Sequence, residues 1–216
     1  MITTGANLSL AATVLSKNWR NRINVLFSLM LLSIAAWSFF LGMFYVASDL
    51  HYARLTSVPI YSSAALIAVL FYYFAYYFPF ALGEKTLMAH IISFISYMMI
   101  LFIIIFIHIE TIVSYDLVTR QQVTIINPVG YTFFLIYFCY YIISAFYHLF
   151  KKLRSATAIH KKEIQVVVFS TLFAAVLGTL FNLAILGITY KYDWLGPFFT
   201  VIMVLIIARY IFFQNK

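Results

Sequence analysis

Apolar residues run through this chain in long stretches, and polar residues are confined to the short gaps between them. Six stretches, roughly 24–47, 57–82, 87–109, 131–150, 164–186 and 197–213, are compatible with membrane-spanning helices, for which about 20 mostly apolar residues suffice. A seventh, 2–15, is diluted by Thr3, Thr4, Asn7 and Ser9 and is short for a full crossing. None of the stretches alternates apolar with polar positions, as the strands of a membrane barrel do. In lipid each segment must satisfy its own backbone hydrogen bonds, which selects helices. The pattern predicts an all-α bundle of seven transmembrane helices, the first one short, forming a single domain over residues 1–216.

The gaps carry the charge, and they alternate. Lys17, Arg20 and Arg22 lie in the first, Lys85 in the third, and Lys151, Lys152, Arg154, Lys161 and Lys162 in the fifth. The second, fourth and sixth hold Arg54, Arg120 and Lys191 against Asp49, Glu110, Asp116 and Asp193. Basic loops stay on the cytoplasmic side, so the odd-numbered gaps are expected inside. The N-terminus is then outside and the C-terminus inside, provided the short first segment crosses. Arg209, near the inner end of the last run, is read as an anchor whose side chain reaches the headgroups.

Composition changes this picture only by excluding alternatives. With 65% hydrophobic and 9% charged residues, the chain cannot cover a soluble surface, which takes about 25% charged residues. The net charge of +8 lies in these loop clusters, so it argues for orientation and lipid attraction rather than nucleic acid. Cys139 is the only cysteine and falls within an apolar run; it is read as a packing residue. The start has neither a leading positive charge nor a small-residue cleavage site, so it is not expected to be a secretory signal.

Candidate chemistry is sparse. No two histidines, and no histidine and cysteine, have metal-ligand spacing on a helix, and no glycine-rich phosphate loop or paired membrane carboxylates occur, so neither cofactor nor catalysis is expected. The last span has no lysine to hold a retinal. His108 and Glu110, in "FIHIETIVSYD", mark the outer end of the fourth span; the plain reading is a pair of interfacial groups, and the functional one a mouth that senses pH or a cation. The stretch "FYYFAYYFPF" stacks Tyr72 with Tyr76 and Tyr73 with Tyr77 on neighbouring helix faces. Tyr137 and Tyr140 add hydroxyls at similar depth, where each wants a partner. They either bond across helices, the plainer reading, or line a cavity. Asn182 on the sixth span suits the face toward the bundle, since buried amides join membrane helices. A pocket lined by Trp37, these tyrosines and Asn182 would suit a small amphipathic molecule.

Several stretches resemble the seven-helix sensor region at the N-terminus of bacterial histidine kinases. In "NLSLAATVLSKNWRNRINVLFSLMLLSIAAW" a first helix ends in basic residues and a second carries Trp37. "IINPVGYTFFLIYF" is similar to the outer loop that opens the fifth helix on Pro128 and Gly130. "HKKEIQVVVFSTLFAAVLGTLFNL" resembles the sixth helix, with Lys162, Gln165 and Asn182, and "WLGPFFTVIMVLIIARYIFF" the seventh, from Pro197 to Arg209 and Tyr210. The resemblance covers nearly the whole chain in order. It departs in its short first helix and in ending without the phospho-accepting helix and ATP domain of a kinase, so phosphotransfer is not expected of this chain.

The resemblance implies a sensor in a bacterial two-component system, multi-pass in the inner (cytoplasmic) membrane. A stimulus would pass through the last helix to a cytoplasmic kinase or other output partner, and kinases of this kind imply a homodimer. Arg209, Tyr210, Lys151, Lys152, Lys161 and Lys162 are the candidate relay and cytoplasmic contact residues. The alternatives are a small transporter, which would need polar residues converging at mid-membrane, and a structural subunit of a membrane complex.

Overall fold

The architecture comes from a computed structural model that describes residues 2–47, 50–81, 83, 87–107, 109–116, 121–180 and 195–213. Among the described residues there are seven α-helices: α1 Ile2–Lys17, α2 Arg22–Val46, α3 Leu50–Tyr77, α4 Leu87–Phe102, α5 Pro128–Ser155, α6 Ala158–Thr179 and α7 Leu195–Ile211. A π-helical turn, Ile103–Ile107, continues α4. Four segments, Arg22–Val46, Arg54–Tyr77, Leu87–Ile107 and Pro128–Ser155, are long and apolar enough to cross a membrane. The chain is a helical membrane protein.

Helix ends follow local chemistry. The Asn21 side chain accepts the Ile23 amide at 2.8 Å and starts α2. Asn127 does the same for α5, accepting from the Val129 amide at 3.1 Å, with Pro128 in the first turn, where its missing N–H costs nothing. Pro79 lacks the N–H to continue α3, which therefore stops at Tyr77 rather than near residue 82. Its start lies earlier than expected, at Leu50, and it carries Pro59 inside, as membrane helices tolerate. α5 runs on to Ser155 and takes up Lys151, Lys152 and Arg154, good helix formers placed at the end of the dipole that favours cations.

One connection departs from the all-α expectation. Between α4 and α5, β1 (Glu110–Asp116) and β2 (Gln121–Ile126) pair antiparallel, with an irregularity between Ile112 and Ser114. Its sequence signal is the run of Thr, Ile, Val and Tyr in "ETIVSYD" and "QQVTII", types that favour strands. The base of the hairpin is closed by Asn127, whose backbone amide donates to the Ile109 carbonyl at 2.9 Å and whose side-chain amide donates to Ile107 at 2.9 Å.

Most of the packing among the described residues falls into two clusters, beside a small third one of Phe44 and Ala47 with Ile60. In the larger, Val14 of α1, Phe27 and Leu31 of α2, Phe74 and Phe78 at the end of α3, Leu149 of α5, Ile164 of α6 and Ile207 of α7 meet in one core. The smaller joins Ala65 and Ala68 of α3, Ile100 of α4, Ile104 of the π-helical turn, and Phe134, Tyr137 and Tyr141 of α5. Within lipid an apolar side chain gains little by leaving its surroundings, so close approach and interhelical hydrogen bonds hold such bundles. α2 illustrates this against α1. Asn24 donates to the Val14 carbonyl at 3.2 Å, Ser28 to the Ala11 carbonyl at 3.1 Å, and the Ser38 hydroxyl meets that of Thr3. The pairing runs in opposite directions along the two chains, so the helices are antiparallel, and the polar residues that dilute α1 are part of what attaches it.

Candidate functional site

The contacts bring one end of each helix to a common face. Arg22, at the start of α2, lies over the Tyr77 ring at the end of α3, 5.8 Å from its centroid. His90 of α4 stacks on Tyr73 at 5.4 Å, with its Nδ1 3.1 Å from the tyrosine hydroxyl. Lys162 near the start of α6 covers the Tyr210 ring of α7 at 5.9 Å. Every gap expected to be basic and cytoplasmic therefore contributes to this face, except that Lys85 lies outside the described residues.

The end of α7 lies on that face. Lys17 of α1 donates its ammonium to the Phe212 carbonyl at 2.5 Å and stands 4.1 Å from the centroid of the Phe213 ring. A cation here satisfies a carbonyl left over by the helix and favours its negative end. The Phe212 ring packs on Phe27 of α2 at 4.9 Å, and Phe27 in turn on Phe74 of α3 at 5.6 Å. The last turn of α7 is thus tied to α1, and through a chain of rings to α2 and α3.

Lys152 makes the second tie, and it corrects an expectation. Read as an exposed cytoplasmic contact, it is fully buried at 0% exposure. Its ammonium donates to the carbonyls of Ala75 at 2.8 Å, Tyr76 at 2.5 Å and Phe78 at 2.7 Å. These are carbonyls that α3 cannot satisfy itself, because Pro79 ends the helix. Three acceptors and the negative end of the dipole offset the cost of burying the charge. Lys152 therefore pins the end of α5 to the end of α3.

The other relay candidates stay on the surface. Lys151, Lys161, Lys162 and Arg209 are exposed, and Tyr210 is half-buried beneath Lys162. His160, in the first turn of α6, pairs with Glu163 at 2.9 Å.

The proposed ligand-lining residues do not converge as one set. Tyr72 packs edge-on to Tyr141 at 5.4 Å and lies 5.6 Å from the His148 ring. Tyr137 is buried, with its hydroxyl 3.4 Å from the Ala65 carbonyl of α3, and Tyr141 meets the Ser96 hydroxyl of α4 at 2.5 Å. These tyrosines join helices. Tyr140, expected at depth beside them, is 62% exposed, because it falls on the outer face of α5. Trp37 is half-buried on α2, next to the buried Ser38. His108 and Asn182 lie outside the described residues, and Glu110 is the first residue of β1. Compared with known proteins, the chain matches no family model and no curated protein.

Sequence reasoning passed over Lys17 and the buried role of Lys152. A signal existed for the second: a proline just past a helix end leaves carbonyls that need an outside donor, and a lysine one turn from a span end can reach inward.

Proposed function

We propose that this chain is a membrane-embedded sensory input module, a seven-helix bundle with its basic face in the cytoplasm, that relays a stimulus through α7 to a kinase or other output partner. The observation that carries this reading is the attachment of the last turn of α7: Lys17 holds the Phe212 carbonyl and Phe27 holds its ring. A rearrangement among α1, α2 and α3 has to shift these contacts, and so changes where α7 ends. The pin between Lys152 and the end of α3 extends the same coupling to α5. The resemblance in helix order to kinase sensor regions supports the reading and implies a homodimer.

A fusion at Lys216 to the cytoplasmic half of a histidine kinase, assayed for autophosphorylation in membranes, tests it. Insertion of one to four residues at the joint is expected to make activity rise and fall with helical phase. Lys17→Ala is expected to shift the basal level of the in-phase fusion severalfold. Activity indifferent both to phase and to Lys17 would sink the proposal.

A further inference from the structure

α4 stands away from α2, and between them, floored by α3, runs a groove of about 640 Å³. Arg20, Arg22, Tyr77 and His90 lie at its basic end, and Val25, Leu26, Leu66, Val69, Leu70 and Phe94 line its apolar length. Arg20 and Arg22 are exposed, and neither is ion-paired among the described residues. Arg22 is aimed by its seat over the Tyr77 ring. From Tyr77 back to Leu66 the floor is about 16 Å long at 1.5 Å per residue. That is about half of the ~30 Å hydrocarbon core, the depth of one leaflet.

We infer that an anionic membrane lipid occupies this groove, its phosphate held by Arg20 and Arg22 and one acyl chain lying along α3. Charge and shape select that occupant. Two guanidinium groups at the headgroup level favour phosphate, which they can bind through paired N–H groups. The remaining wall is mostly apolar over the depth of a single leaflet, as an acyl chain requires, and the hydroxyls of Tyr73, Ser93 and Tyr97 that also line it are bonded within the protein. The inference goes beyond the signalling proposal and does not rest on it, because lipid retention is read without any output.

The test uses the full chain, purified in detergent, delipidated, and given phosphatidylglycerol or phosphatidylcholine at equal concentration before native mass spectrometry. Wild type is expected to retain one phosphatidylglycerol in preference to phosphatidylcholine. Arg20→Gln with Arg22→Gln is expected to weaken phosphatidylglycerol about thirtyfold, about fivefold for each arginine. Arg154→Gln, at an exposed arginine of the same face on α5, is expected to change nothing. Leu66→Trp and Leu70→Trp, which fill the groove and leave the arginines in place, are expected to lower retention of both lipids. Equal binding of the two lipids by wild type, or an Arg154→Gln loss as large as that of the arginine pair, would overturn the inference. So would full retention in both tryptophan variants.

Discussion

At the basic end, six helices meet around Phe27, Phe74 and Phe78, none of them more than 2% exposed. Across the molecule α4 lies against α3 and α5, and its Phe94, Met99 and the following Phe106 are each over 60% exposed. α4 is the most apolar of the described helices in sequence, so hydrophobicity does not explain the difference. Small residues contribute to it: Ala11 of α1, Ala75 of α3, Ala145 of α5 and Ala208 of α7 are almost fully buried in the core at the basic end and let neighbouring backbones come close. α4 is held instead by a few polar contacts: His90 to Tyr73, Ser96 to Tyr141, and the Tyr97 hydroxyl to the Ser62 carbonyl at 3.4 Å. In lipid, an apolar helix held by a few polar contacts is tethered rather than packed, and a groove opens beside it.

The most direct way to break this comparison is to truncate a ring on each side. Phe27→Ala is expected to destabilise the purified protein by about 4 kcal/mol, as other buried phenylalanines do. Phe94→Ala on α4 is expected to stay within about 0.5 kcal/mol. Thermal unfolding in detergent reads both, and similar losses would mean that α4 is packed like the rest. Lys152→Met comes next. It leaves three carbonyls without their donor, at an expected cost of about 3 kcal/mol, and hydrogen exchange should quicken at the end of α3 but not in α4. Unchanged exchange there would show that the pin is dispensable. The smallest effects come from single interhelical hydroxyls. Ser28→Ala, facing α1, and Ser96→Ala, facing Tyr141, are each expected to cost about 0.6 kcal/mol. A much larger loss at Ser96 would mean that the attachment of α4 depends on that bond.

Much of the site was legible in residue types but not in their partners. The basic clusters announced a common face, and the structure gathers them there. Which lysine would turn inward was not legible. Lys151 and Lys152 are adjacent and chemically identical, and they differ only in that the second points at the end of α3. Likewise Tyr140 and Tyr141 are neighbours in one apolar run, yet one is exposed and the other reaches Ser96. On a helix, adjacent residues face about 100° apart, so the choice depends on which helix lies alongside. The hairpin was missed for another reason. Its strands are short, and their β-branched residues merge with the apolar runs on either side.

The sequence by itself determined that this is a helical membrane protein, roughly where its helices lie, and that Pro128 opens one of them. Those features are local, because in lipid a segment must satisfy its own backbone, and prolines and caps act within a turn. Only the tertiary structure decided that α3 and α5 run side by side in the same direction, that Lys17 holds α7, and that α4 leaves a groove with two arginines at its mouth. Those features depend on pairs of residues as much as 195 positions apart, and hydrophobic pattern carries no record of partners when every face of a helix is already compatible with lipid.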